Sequence, residues 1–197
     1  YPLRRQRQMC IRDRDILSQV NRPYLLYGFK SHNNFIASNI RVEKGMTSFK
    51  VVNPKGDLGD FSVPLYGNHN VLNSLACIAT CLDMEMPLEK IREGLKTFTG
   101  VDRRFTYKGL FQGAEVFDDY GHHPTEIKAV LQAAKSYKTN SKLIVCFQPH
   151  RYSRTQDVLN QFGSCFSLAN EILLLPIYAA GEQEIPGINS EAIASII

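Results

Sequence analysis

The spacing of hydrophobic and polar positions changes character twice along the 197 residues. "RPYLLYGF" reads as a strand entering a turn. Residues 35–65, "FIASNIRVEKGMTSFKVVNPKGDLGDFSVPL", alternate apolar and polar positions with glycine-containing breaks, which predicts two or three antiparallel strands. The period then becomes helical. "NHNVLNSLACIATCLDM" sets Val71, Leu72, Leu75, Ala76, Ile78, Ala79 and Leu82 on one broad apolar face. "PLEKIREGLKTF" predicts a second amphipathic helix, with Pro87 in its first turn and Leu88, Ile91 and Leu95 on its buried side. "TGVDRRF" has no periodicity and is placed at a boundary. Beyond it come a strand ("AEVFDDY"), a helix ("PTEIKAVLQAAKSY"), a strand ("KLIVCFQP"), a helix ("TQDVLNQFGSCFSLA") and a strand ("EILLLPIY"). The start of another helix, "NSEAIASII", follows. Strands alternating with helices predict right-handed βαβ units on a parallel sheet. The expected class is α/β, with a strand-and-helix unit over 15–99, a linker over 100–104 and a Rossmann-like unit over 105–197. A doubly wound sheet would normally continue, so truncation at the C-terminal end is expected.

Composition narrows this picture. Hydrophobic residues make up 44% and charged residues 21%, as in an ordinary globular protein. No apolar run approaches the roughly 18 residues of a membrane span. The longest, "EILLLPIYAA", is interrupted by Pro176 and reads as a buried strand. The formal charge is +4, but Arg4, Arg5, Arg7, Arg12 and Arg14 stand in the first 14 residues against Asp13 alone. The rest is near neutral, so no nucleic-acid partner is expected. That leader lacks both an apolar signal-peptide core and a hydrophobic period, and is expected to be a boundary artefact or a disordered arm. Cys10, Cys77, Cys81, Cys146 and Cys165 form no CxxC, which predicts free thiols in a reducing cytoplasm. Cys146, inside "KLIVCF", is expected to be buried and inert.

Candidate chemistry gathers where the three downstream strands end, since ligands of open α/β sheets sit beyond the carboxyl ends of the strands. The three loops are "DDYGHHP", "QPHRYSRT" and "YAAGE". "QPHRYSRT" offers His150, Arg151 and Arg154 near a helix start, where two guanidinium forks and the free N–H groups suit a carboxylate or phosphate; solvated arginines beside a capped helix are the bland alternative. "DDYGHHP" admits three readings. Asp118, Asp119, His122 and His123 could hold a metal ion for hydrolysis, although neighbours on a strand point to opposite faces. The histidines could cap the following helix while an aspartate fixes the turn. The segment could instead contact a nucleotide or substrate, a carboxylate taking ribose hydroxyls. At the first helix, Asn70 and Asn73 share a face beside His69, and their amides match the donor and acceptor of an adenine edge; helix caps are the plainer reading. Arg103 and Arg104 sit at the linker, either solvated or reaching a phosphate across a cleft.

Taken together, "GNHNVLNSLACIA", "GVDRRF", "DDYGHHPTEI", "FQPHRYSRT" and "YAAGE" resemble the Mur ligases of bacterial cell-wall synthesis, in order and spacing from about Ile16 to the last residue. "QPHRYSRT" favours the alanine-adding branch. The resemblance implies a three-domain cytoplasmic enzyme whose substrates are UDP-N-acetylmuramate, L-alanine and ATP, with Mg2+. An acyl phosphate would form on the muramyl carboxylate and the alanine amine would attack it. By the same resemblance, His69, Asn70 and Asn73 lie on the adenine side, Asp119 contacts the ribose, and Arg104, or less well Arg103, meets the phosphates. His122 is carried over as catalytic, and Tyr120, His150, Arg151 and Arg154 as lining the amino-acid and muramyl pocket. The chain contains no GxxxxGK[ST]. The phosphate-cradling loop, the magnesium ligands and the UDP-binding domain are therefore expected outside it, and the chain is expected to be inactive alone. A stand-alone module that binds a nucleotide or anion without chemistry is the alternative.

Overall fold

The computed structural model describes residues 17–43 and 45–197. The leader 1–14 lies outside the described residues. The first unit is a four-stranded sheet ordered β1 (Tyr27–Gly28), β2 (Phe35–Glu43), β3 (Met46–Asn53) and β4 (Gly56–Val63). β1 is short and parallel to β2; β2, β3 and β4 are antiparallel neighbours. The alternation in the sequence becomes one buried face: Phe35, Ala37, Phe49, Val51, Phe61 and Val63. Phe49 stands opposite Phe61, and their rings stack at 6.2 Å.

Helix α1 (Asn68–Asp83) covers that face with Val71, Leu75, Ile78 and Ala79, and α2 (Leu88–Thr97) adds Ile91 and Leu95. Full burial of such a side chain contributes about 1.5–3 kcal/mol, which holds the two helices on the sheet. Pro87 stands just before α2 at its N-cap position, where a missing N–H costs nothing.

The second unit opens with a hairpin that the hydrophobic pattern did not reveal. β5 (Thr106–Phe111) pairs antiparallel with β6 (Ala114–Asp118). The connecting Gln112 and Gly113 have φ of 49° and 82°, the left-handed pair of a type I′ turn. Then follow α3 (Pro124–Tyr137), β7 (Ile144–Phe147), α4 (Tyr152–Val158), a 3-10 turn at Leu159–Gln161, α5 (Phe162–Cys165), β8 (Glu171–Leu174) and α6 (Ser190–Ala194). β7 and β8 are parallel. Ile127, Leu131, Phe147, Val158, Phe162, Phe166 and Ile193 form the second core.

Three expectations need correction. The parallel sheet does not run through all three expected strands: β6 spends its pairing on β5, and a cleft separates it from β7. The helix expected from Thr155 begins at Tyr152 and breaks at Leu159–Gln161. Gly163 follows that break, where a Cβ would stand 2.9 Å from the Ile196 carbonyl oxygen. Finally, Cys146 and the "EILLL" strand are not buried. Val145, Phe147, Ile172 and Leu174 pack under the helices, while Ile144, Cys146 and Leu173 face outward, Leu173 with 58% exposed.

The two units meet through aromatic rings. Tyr66, from the approach to α1, packs edge-on against Tyr137 of α3 at 5.1 Å and against Phe105, just after the linker, at 6.3 Å. Phe105 stacks on Phe117 of β6 at 4.4 Å. At the same seam Gly67 lies directly against Ala133 of α3.

Candidate active site

Helix α3 positions the first loop. His123 is its N-cap, and its Nδ1 accepts the Thr125 N–H at 3.2 Å. Pro124 occupies the first turn, where no N–H is needed. Glu126 reaches back, and its Oε2 accepts the N–H groups of His122 and His123, each at 3.2 Å. Burial pushes the His123 pKa down, which keeps the ring neutral and able to accept. The structural reading thus holds for His123. His122 differs: its Nδ1 lies 3.1 Å from the Tyr120 carbonyl oxygen. A carbonyl only accepts, so Nδ1 carries the proton and a neutral ring presents Nε2 as acceptor.

The two aspartates diverge, as alternation along a strand requires. Asp119 turns to the linker, Oδ2 accepting the Phe105 N–H at 2.8 Å and Oδ1 the Gly121 N–H at 2.6 Å. Each oxygen keeps a second lone pair. Asp118 faces Arg103 at 3.6 Å, and Arg103 lies over the Tyr120 ring at 4.7 Å. Arg104 turns the other way, its Nη1 3.9 Å from Glu126 Oε1. Asp118, Asp119, His122 and His123 therefore do not converge. No group of three or more His, Cys, Asp or Glu side chains able to hold a metal ion occurs among the described residues, so the metal-hydrolase reading has no ligand set.

The rim itself forms across loops. Tyr120 lies 5.4 Å from the His122 ring and 6.5 Å from the His150 ring, and His150 is 5.3 Å from Tyr178. Half-buried Arg154 brings Nη1 to 3.5 Å from His150 Nδ1. Burial first, then Arg154 and Arg151, push the His150 pKa down. Arg151 is exposed and held at φ 73° by its N–H, which donates to the Tyr178 carbonyl at 2.8 Å. A cleft of about 920 Å³ opens beneath this rim, walled by Phe117, Leu131, Val145 and Phe147.

One expected contribution is already used by the protein. α4 spans only seven residues, and the N–H and hydroxyl of Ser153 in its first turn donate to Glu182 at 3.0 and 2.7 Å. Its helix start therefore serves an internal carboxylate rather than a guest. Sequence reasoning included Glu182 in "YAAGE" but gave it no role, because its partner lies 29 residues away in the chain. Glu126 was also missed, although its partners His122 and His123 are only four and three residues away and a glutamate three residues after a helix cap is a local signal.

At α1, Gly67 is the N-cap and no side chain caps the helix, so the plain capping reading of His69 and Asn70 does not hold. Asn70 donates its Nδ2–H to the Tyr66 carbonyl at 2.8 Å, and Asn73 is exposed 3.4 Å from Asn70 Oδ1. The buried His69 Nδ1 finds no hydrogen-bond partner among the described residues. Burial pushes its pKa down, Asp119 opposes that shift, and Arg104 adds to it.

Comparison with known proteins decides the family. Residues 103–197 match the family described as "Mur ligase, glutamate ligase domain", and residues 10–81 match "Mur ligase middle domain". The chain belongs to the Mur ligase family. This Mur ligase chain is 45% identical over 193 residues to UDP-N-acetylmuramate--L-alanine ligase of Geobacter sulfurreducens, covering 96% of this chain and 42% of the relative. It is 44% identical over 194 residues to the enzyme of the same name from Brachyspira hyodysenteriae, covering 96% and 42%. It therefore spans about two fifths of the length of these curated relatives. Among solved structures it is similar to UDP-N-acetylmuramate-alanine ligase of Thermotoga maritima, with 28% identity, a TM-score of 0.69 and coverage of 87% of this chain and 37% of that one.

Proposed function

We propose that this chain is the part of an ATP-dependent ligase that joins L-alanine to the carboxylate of UDP-N-acetylmuramate in peptidoglycan synthesis, in the cytoplasm. The observation that carries the reading is the rim where Arg154, His150, Tyr120 and His122 converge from two strand-end loops. The names of the relatives supply the substrates to test. No helix among the described residues is long and apolar enough to cross a membrane.

In this reading, residues 15–99 and 105–197 are the ATP-side and amino-acid-side units, joined by the linker 100–104. Asn70 and Asn73, with His69, take the adenine edge. Asp119 uses its remaining lone pairs on the ribose, and Arg104 meets the phosphates. A carboxylate is a poor acyl donor until its oxygen becomes phosphate. ATP supplies that activation, and the attack by the alanine amine then builds negative charge that nearby cations stabilise. Arg151 and Arg154 hold the alanine carboxylate so that its amine meets the acyl group, and His122 Nε2 is the acceptor beside it. The described residues offer no cluster for Mg2+, so no step is assigned to that ion.

The test is kinetic, in the full-length ligase carrying this sequence. A charge-assisted contact is worth about 1.5–3 kcal/mol, so Arg154→Ala raises KM for L-alanine by roughly tenfold or more and leaves KM for ATP unchanged. Equal rises for both substrates overturn the assignment.

A further inference from the structure

We propose that Glu182 is a positioning residue that locks the anion clamp of Arg151 and Arg154 in place. The inference rests on the reading of those arginines as the carboxylate clamp. The loop after β8 grips the loop after β7 at successive points. Tyr178 donates its N–H to the Pro149 carbonyl at 2.8 Å and accepts the Arg151 N–H at 2.8 Å. Glu182 then takes both the N–H and the hydroxyl of Ser153, which stands with Tyr152 between the two arginines. Tyr152 Oη donates to Glu184 at 3.2 Å. Arg151 thus sits between two fixed points in a left-handed conformation that a non-glycine residue keeps only when its surroundings enforce it.

The chemistry explains why a carboxylate is used. One glutamate satisfies two donors at once, which a single backbone carbonyl does less well in this geometry. Its negative charge also faces Arg151, limiting the repulsion between two guanidinium groups brought three residues apart. The hydrogen bonds from Ser153, main chain first, hold the Glu182 carboxyl below its ordinary 4.5, with Arg151 adding to the effect. The other groups that sense its charge are His150 and the Tyr152 main chain. A clamp whose arginines wander loses much of the advantage of orientation, since small misplacements cost large factors.

The test uses the isotope-labelled 197-residue chain and L-alanine as probe. In the unsubstituted protein the Ser153 amide resonance moves with a protonation step whose midpoint is below 4.5. In Glu182→Gln that step vanishes while the fold persists, because an amide oxygen still accepts one bond. L-alanine shifts the Arg151 and Arg154 Nε–H resonances, and Glu182→Ala weakens that response by about tenfold, Glu182→Asp less. A Ser153 amide that ignores the titration, or an unchanged L-alanine affinity in Glu182→Ala and Glu182→Gln, overturns the lock. If unsubstituted protein shows no arginine response to L-alanine, the clamp reading fails. The lock is then judged by the Ser153 step and by whether Glu182→Gln broadens the arginine resonances; the absence of either effect refutes it.

Discussion

Gly67→Ala tests the seam between the two units, and its size can be worked from the structure. Gly67 adopts φ 92° and ψ 148°, a conformation that L-residues avoid. Forcing alanine into such a region costs about 1–3 kcal/mol. The new Cβ would also stand 2.9 Å from the His69 ring and 3.0 Å from the Ala133 Cβ. Ala133 is fully buried in α3, so it yields only if α1 and α3 part. Overpacking of this kind costs a further 1–3 kcal/mol, roughly. The total is about 2–6 kcal/mol, and for a chain of this length each kcal/mol lowers Tm by about 2–4 °C. Thermal unfolding followed by circular dichroism should therefore fall by at least about 4 °C. Gly94→Ala is the control. Gly94 lies inside α2 with nothing within 4 Å of a Cβ, so alanine there stabilises by about 0.5–1 kcal/mol. A Gly67→Ala protein melting within about 1 °C of the parent would refute the close-packed seam.

Acid sensitivity and thiol reactivity follow from the same coordinates. The His123 pKa is lowered by burial, so the unfolded chain binds its proton more readily; stability is full above the ordinary 6.5 and falls as pH drops below it. His123→Asn keeps a good N-cap without a titrating ring, and denaturant unfolding at pH 7 and pH 5 should show a smaller loss than in the parent. Among the described cysteines, Ellman's reagent should modify the exposed Cys146 first, Cys77 more slowly because burial and Cys81 raise its thiol pKa, and Cys165 only under denaturing conditions, because burial pushes its thiol to about 11. Equal rates for Cys146 and Cys165 would contradict the outward-facing side of β7.

Local signals were legible in the sequence where one segment settles its own structure. Pro124 with the apolar period behind it delimits α3 from Pro124 to Tyr137, and the alternation of Phe49, Val51, Phe61 and Val63 exposes the first sheet. β5 was not legible, because Gly109 interrupts its pattern and Leu110 and Phe111 are both exposed, so no face is marked as buried. Its turn was marked by Gln112–Gly113, a weaker form of the Asn–Gly signal. The rim was legible as three strand ends carrying polar loops. Which side chains spend themselves on the protein was not, since Asp119 bonds Phe105 and Glu182 bonds Ser153 across 14 and 29 residues. Cys146 was misplaced because an apolar run signals burial on both faces of a strand, whereas only one face of β7 is covered.

That bare face carries a practical cost. Ile144, Cys146 and Leu173 form a greasy plate beside strand borders that nothing else among the described residues occupies, and such borders invite another copy to zip alongside. Exposed apolar surface beside unpaired strand borders raises the tendency to stick at high concentration, so solution work on the isolated chain is best done dilute.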